Sequence, residues 1–594
     1  MQLVGRPVCA LLLAFLSAPA ALVAALPSCI PSAHAFEPCE LSFDLHSGDL
    51  PPSASLYRDE ILNVEFRSPR ATTYLMNAFA DGSGILRVRF TPIESGHWTY
   101  RVSSTVKRLD NSEGNFDAAE TGKPGMVGVA NLRHWWTTNK QPHLWLSASV
   151  PFLALDDSTL ANWLDARKHD GFTHVRGALL TEPGPNFKPL TAAGTPDPAY
   201  FGKLDERVLA AIARGFTVDL IFADVSFLKN TALNNYDILE PLVRYLVARY
   251  GGLDVTWQGI EHFEDYPNSR SLLKGLATVI QKNDPFKHPR STDARVSSSP
   301  LLPDGWMNYL IEASADPQFG AVEHQFTQQP EIHIVTATEP AAFRHELWNC
   351  TTNGEYPSVS FEALRDEANI RAVQTWVKVM SDTRHWELEP YFDVDGARAV
   401  GLEEAEFVAY AQTPGIVEIT LPKHKYNPSW VNPITGEELP LKDYKGEVFS
   451  RQTPDNSHDW VLQVPREGHK ANMLKYVRFE STEPPVQEVE TNVAKIPFEV
   501  TEPKGEDLPT NTASRYAAKL TRANRASRTM QYVWWGEIVA NEDGARLIGL
   551  GSNGNFTPSR ILATPPGGNL HLRVQAINAN GKAYEVDRVY RLTQ

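Results

Sequence analysis

Three times between residues 162 and 260, a helical stretch closes on glycine and runs straight into an apolar strand. Residues 162–171 lead into Phe172-Thr-His-Val-Arg176, and residues 207–215 into Phe216-Thr-Val-Asp-Leu-Ile-Phe222. Residues 242–251 lead into Asp254-Val-Thr-Trp-Gln-Gly-Ile260. Glycine suits the left-handed position after a helix because it has no Cβ to clash there. The strands are nearly continuous apolar runs, which suits a parallel sheet covered on its outer face. Helix and strand in alternation predict βα units.

The count extends to eight. Strands are expected at 143–147, 172–176, 216–222, 254–260, within 288–296, and at 320–324, 332–338 and 356–360. The span of about 250 residues is that of a (β/α)8 barrel. The connection between strands six and seven is too short for a helix, the one irregularity of this count. On both sides the text turns to β: alternating segments such as Ile85-Leu-Arg-Val-Arg-Phe90 read as half-buried strands. The predicted architecture is a multidomain α/β plus all-β chain with a central (β/α)8 TIM barrel at 129–384. An N-terminal immunoglobulin-like β-sandwich occupies 36–128, and two C-terminal β-sandwich domains occupy 385–480 and 481–594. The second of these starts with a Pro- and Glu-rich linker at 480–490.

Arg6, an apolar run over 8–26 and Ala33-His34-Ala35 form a signal-peptide pattern over residues 1–35. The mature chain is expected to be secreted, periplasmic or on the cell surface. Leu26-Pro27-Ser28-Cys29 loosely resembles a lipoprotein box, with Pro27 a poor fit. On this reading Cys9 and Cys29 leave with the leader, and Cys39 and Cys350 remain, either paired or as two thiols. No later run approaches ~18 unbroken apolar residues, so no membrane span beyond the signal peptide is expected. A net charge of −15 without a basic block argues against nucleic acid as a partner.

In a parallel barrel the working residues sit at the C-terminal ends of the strands. That rule selects Arg176 on strand two, Asp224 after strand three, and Glu261, His262 and Glu264 after strand four. It adds Asp293 on strand five, Glu323 and His324 on strand six, and Glu339 after strand seven. Trp257, on strand four, and Trp135-Trp136 are candidate platforms for a sugar face. The set is rich in carboxylates. It lacks a serine or cysteine nucleophile with a histidine, a phosphate-cradling glycine loop and a metal-ligand spacing, so no cofactor or metal is expected. Paired carboxylates suit glycoside hydrolysis, where one protonates the leaving oxygen and the other attacks or activates water. They also suit proton abstraction in lyases. Each candidate has a structural alternative: a loop acid, a helix cap, an ion pair or core packing.

Residues 62–102, with Phe66-Arg-Ser-Pro69, Asp81-Gly-Ser-Gly84 and Gly96-His-Trp-Thr-Tyr100, resemble an immunoglobulin-like domain that precedes glycosidase barrels. The barrel resembles the apiosidase-like glycoside hydrolases through Asn162-Trp-Leu, Gly171-Phe-Thr-His-Val-Arg176, Val255-Thr-Trp-Gln-Gly259 and His288-Pro-Arg-Ser-Thr292. Residues 386–479, with Asn432-Pro-Ile-Thr-Gly436 and Asp459-Trp-Val-Leu462, resemble the collagen-binding-type β domain that often follows such barrels. The resemblance implies an acid/base after strand four and a nucleophile at the end of strand seven. Aligned on Trp257, the family's Trp-x-x-x-Asn-Glu pattern puts Glu261 on the asparagine and His262 on the glutamate. Counted from Pro330, the strand-seven position falls on Val335, and Glu339 lies beyond it. The expected function is a glycoside hydrolase acting on a plant or microbial polysaccharide, with Glu261, Glu339 and Glu264 as catalytic candidates. Arg176, Asp224, Trp257, His262, Asp293, Glu323 and His324 are the expected substrate contacts. The alternatives are a degenerate barrel that only binds carbohydrate and a surface adhesion protein.

Overall fold

The structure is a computed structural model that describes residues 25–82, 84–182, 184, 187–231, 233, 235–266, 269–469, 489–521, 530–538, 546–561, 568–578 and 582–594. The expected leader up to residue 24 and most of the expected linker lie outside these residues.

Eight strands form one parallel sheet: β1 (Ser147–Ser149), β2 (His174–Leu180), β3 (Thr217–Ala223), β4 (Val255–Ile260), β5 (Arg290–Ser291), β6 (Leu310–Glu312), β7 (Glu331–Val335) and β8 (Tyr356–Val359). Their order is β5-β4-β3-β2-β1-β8-β7-β6, every neighbouring pair parallel. The sheet is a near-barrel whose ladder is open only between β5 and β6. There Asn308 N–H donates to Arg290 O at 3.0 Å, and Arg290 N–H donates to Asn308 Oδ1 at 2.6 Å. The helices around it are α1 (Asp157–His169), α2 (Pro198–Ala213), α3 (Val225–Asn230), α4 (Tyr236–Tyr250), α5 (Ser269–Asn283), α6 (Phe319–Phe326), α7 (Pro340–Thr352) and α8 (Glu367–Ser381). Gly171 and Gly215 take the expected positive φ, 93° and 74°.

Two sequence expectations are corrected. The sixth strand is Leu310–Glu312, and the segment expected as strand six is helix α6. Phe319, Val322 and Phe326 recur at helical spacing and face the last β domain, which explains the switch. It also removes the connection that looked too short. The first strand starts at Ser147 rather than at 143.

A polar layer fills the middle of the barrel. Asp219 on β3 is fully buried; it accepts hydrogen bonds from Ser147 Oγ at 2.8 Å and Thr256 Oγ1 at 2.9 Å, and His174 Nδ1 lies 2.9 Å away. Below it, Trp145 stacks on His174 with ring centroids 3.6 Å apart, and Trp135 packs on Trp145. Trp135 and Trp136 are buried at the N-terminal end of the barrel, not at its mouth.

Before the barrel, a sheet containing Leu62–Arg67 and Gly96–Ser104 faces a second one containing Cys39–Asp44 and Ile85–Phe90. Trp98, Phe66, Phe90 and Phe116 fill the space between them. This domain docks on the barrel helices through a buried ion cluster. Asp205 of α2 accepts from Arg249 of α4 at 2.9 and 2.8 Å and from Arg89 Nη1 at 3.1 Å. Burial opposes the charge on Asp205, but the two guanidiniums outweigh it and hold its carboxyl at about 2. The backbone closes in as well: a Cβ on Gly252 would meet Arg89 O at 2.2 Å.

Residues 27–35, placed in the leader by the sequence pattern, are part of this domain. Ser32–His34 pairs in parallel with Asp117, Ala118 and Ala119, and Cys29 is disulfide-bonded to Cys39. Cys350 is a buried free thiol, so a Cys39–Cys350 bridge does not form. After the barrel come two further β units. One has Phe407, Trp430, Phe449 and Trp460 at its centre and meets α7 through Arg344 and Asp459, 2.8 Å apart. The other has Trp534 in its core and presses Val533 and Trp535 against Phe319 of α6.

Two results follow from this packing. Removing one partner of a buried ion pair costs about 3–5 kcal/mol. Asp205→Ala is therefore expected to lower the unfolding free energy measured by urea titration by that amount, far more than an exposed Asp→Ala change. Peptide mapping without reduction is expected to find Cys29 joined to Cys39 and Cys350 unmodified.

Candidate active site

The barrel mouth gathers its chemistry on the β2–β4–β5 side. Side chains alternate along each strand, so His174 and Arg176 of β2 point inward with Thr256 and Gln258 of β4. Arg176 Nε donates to Gln258 Oε1 at 2.6 Å. Its Nη2 lies 2.8 Å from Asp293 Oδ1, an ion pair whose N–H is not aligned on the oxygen. Arg176 is 7% exposed and Asp293 3% exposed, so the pair is shielded from water and from salt. Asp293 Oδ2 accepts the His262 backbone N–H at 3.2 Å, and the His262 ring reaches the same oxygen at 3.7 Å.

Glu261 follows β4 directly. Its backbone N–H continues the sheet by donating to Ala223 O, and its Oε2 accepts the Val225 N–H at 3.1 Å. The side chain is half-buried. His262 is held in the left-handed region, φ 48° and ψ 63°. A non-glycine residue pays strain there, and such strain concentrates at functional sites. Glu261, His262 and Asp293 each bring one ligand-type atom within 4.8 Å of the others. A cation would fit that spacing, but the Arg176 guanidinium already supplies positive charge to Asp293.

The side chains of the other expected site residues are engaged elsewhere. Asp224 caps α3, accepting from Phe227 N–H at 2.9 Å and Ser226 Oγ at 2.6 Å. Glu264 is fully buried and clamps the loop after β5, accepting from Arg295 N–H at 3.0 and 2.9 Å and Val296 N–H at 3.2 Å. Trp257 points outward; it is 3% exposed and donates to Asp284 Oδ2 at 3.0 Å, so it packs the barrel wall and offers no face to a sugar. Glu339 is exposed at the start of α7, where it accepts the Ala342 N–H at 2.8 Å. Those N–H groups hold its carboxyl below the usual glutamate range.

Glu323 and His324, on α6, serve domain contacts. Glu323 accepts from Ser297 Oγ at 2.7 Å beside the last β domain, and burial pushes its carboxyl up to about 8. His324 Nε2 lies 2.6 Å from Glu389 of the following β domain, and burial keeps the imidazole below its usual range despite that carboxylate. Sequence reasoning did not single out Gln258, Asp219 or His174. The signal was present, since a polar residue at every second position of an otherwise apolar strand marks an inward-facing polar row.

The eight-stranded parallel near-barrel, with carboxylates, an arginine and a histidine at its C-terminal strand ends, has a fold also found in glycoside hydrolases. Solved structures agree on the fold. A candidate glycoside hydrolase from Bacteroides vulgatus is similar with a TM-score of 0.63 at 16% identity, covering 73% of this chain and 99% of that one. A glycoside hydrolase family 5 protein from the same organism gives a TM-score of 0.53 at 15% identity, covering 61% of this chain and 98% of that one. A further glycoside hydrolase gives 0.51 at 15% identity, covering 59% of this chain and 99% of that one. Residues 32–105 match a domain of unknown function, DUF5060. The comparison with curated proteins gave no match.

The raised carboxyl of Glu323 has a testable sign. The folded state keeps it protonated up to about 8, whereas the unfolded chain ionises from 4.5 upward. Stability from this group is present below 4.5 and is lost as pH rises toward 8. Glu323→Gln is expected to flatten the fall in melting temperature across that window, as read by differential scanning calorimetry at a series of pH values.

Proposed function

We propose that the protein is a secreted glycoside hydrolase that acts on a plant or microbial polysaccharide at the mouth formed by β2, β4 and β5. The observation that carries this reading is the Glu261–His262–Asp293 group beside Arg176. Asp293 is the buried carboxylate, paired with Arg176. Glu261 is the half-exposed one, suited to exchange a proton with a glycosidic oxygen. One carboxylate oxygen of each lies within 4.8 Å of the other, close enough for both to reach one glycosidic bond. The apiosidase-like assignment belongs to this same reading and rests on the barrel motifs. Export is supported by the apolar N-terminal run and by the Cys29–Cys39 bridge, which suits an oxidising compartment. Cleavage upstream of Cys29 would leave that bridge intact, and a Cys29 held in a disulfide has no thiol for a lipid. Among the described residues no helix is long and apolar enough to cross a membrane.

A second reading has its own observation. The end of β7 offers Val335 and Thr336, and Glu339 is spent on capping α7. A barrel without a carboxylate at that strand end suits carbohydrate binding without hydrolysis. Reducing-sugar release from a panel of pectic, arabinan and other glycan polymers decides between the two. The hydrolase reading expects release by the wild type, a loss of about 10²–10⁴-fold in Glu261→Gln, and little change in Glu339→Gln. Release that survives Glu261→Gln would overturn the assignment. No release from any polymer, with polymer binding intact, establishes the binding reading.

A further inference from the structure

A second reactive group lies on the outer face of the barrel wall. Ile332 and Ile334 of β7 join Trp145 and Tyr309 inside the barrel. The residue between them, His333, therefore faces outward, toward α7. Register sets Glu312 of β6 directly beside His333. Glu355, just ahead of β8, closes the group. Glu312, His333 and Glu355 are all buried, and each brings one ligand-type atom within 4.8 Å of the others.

The imidazole is oriented from behind. His333 Nε2 lies 3.0 Å from Glu346 Oε1 of α7. The Glu346 carboxylate is itself fixed, accepting from Thr336 N–H at 3.1 Å and Ala337 N–H at 2.8 Å. A carboxylate on one ring nitrogen fixes the orientation of the ring, as the outer carboxylate does behind metal-binding histidines. The other nitrogen, Nδ1, faces Glu312 and lies 3.9 Å from Glu355 Oε1.

That Glu355 oxygen is an independent pointer. The residue is 3% exposed, and Oε1 has no hydrogen-bond partner among the described residues, although Oε2 accepts from Asn353 at 3.0 Å. A buried carboxylate oxygen without a hydrogen bond, its nearest cationic neighbour the His333 ring at 3.9 Å, is costly unless something absent from the polypeptide satisfies it. The fold also makes room for it. A Cβ on Gly320 of α6 would meet the Glu355 carboxylate at 2.1 Å, so glycine lets the helix pass over the group. A cleft of about 400 Å³, lined by Glu312, His333, Glu346 and Asn349, leads in from the surface. Glu312, Glu346 and Glu355 set three carboxyl groups around one imidazole in a buried place.

We propose that Glu312, His333 and Glu355 form a binding site for a divalent transition-metal ion, with Glu346 as the positioning carboxylate and the cleft open to water or a small ligand. One imidazole with two carboxylates suits Zn²⁺ or Mn²⁺; Ca²⁺ and Mg²⁺ favour all-oxygen sets. The site stands apart from the barrel mouth and does not depend on the hydrolase reading.

The test uses the full chain, treated with chelator and titrated with Zn²⁺ by calorimetry, with Co²⁺ absorption as a spectroscopic check on the ligand set. The wild type is expected to bind one equivalent. Glu355→Gln and His333→Ala should weaken binding by more than about 100-fold, and Glu346→Gln by about 10–100-fold. Glu261→Gln should leave it unchanged, which separates this site from the group at the mouth. Circular dichroism checks the fold of each variant; if His333→Ala does not fold, the near-isosteric Glu355→Gln decides. No bound equivalent in the wild type would overturn the proposal and make the group a proton-sharing His–carboxylate network. Undiminished binding in folded Glu355→Gln would overturn it too, placing the ion elsewhere.

Discussion

The carboxylate of Asp219, buried at the centre of the barrel, ties the first four strands together. An isolated charge there would cost several kcal/mol or more, so its partners are obligatory. They come from three other strands: Ser147 on β1, His174 on β2 and Thr256 on β4. A shift of one residue in any of these strands would turn its partner to the outer face. The hydrogen bonds of Asp219 thus fix the register on which the next layer depends. That layer is Arg176, Gln258 and Asp293, and it places Glu261 and His262 at the mouth.

The opposite side of the barrel is built differently. Strands β5 and β6 are short, no α-helix joins them among the described residues, and the ladder opens between them. The last β domain packs on this weaker side with Trp535 and Val533 against Phe319 of α6, and the preceding one reaches His324 of the same helix with Glu389. The flanking domains therefore act on the barrel's own stability. Glu323 and His324, which looked like mouth residues in the sequence, are drawn into these contacts instead.

The βα repeat was legible because glycine and an apolar strand follow each helix in one local pattern. Positions 174, 217 and 255 start strands within two residues of where the pattern put them. Strand six was not legible: Leu310–Glu312 is only three residues long, and residues 320–324, the expected strand, belong to a helix whose apolar spacing shows only when Phe319 and Phe326 are included. At the mouth, Arg176, Glu261, His262 and Asp293 were found by the strand-end rule and do come together. Glu264, Trp257 and Glu339 follow the same rule in sequence yet face a loop, the wall and a helix end. Strand ends give position along the axis, whereas the facing of a side chain depends on register and on contacts distant in sequence. The Glu312–His333–Glu355 group was hidden for the same reason, since its members meet only through strand pairing.

On the proposed reading a sugar chain binds over Glu261 and Asp293. A crystal structure of Glu261→Gln soaked with an oligosaccharide from a polymer the protein binds tests it most directly. A glycosidic oxygen is expected within hydrogen-bond reach of residue 261, with Asp293 still paired to Arg176. Sugar bound only on the flanking β domains, with the mouth empty, would contradict it.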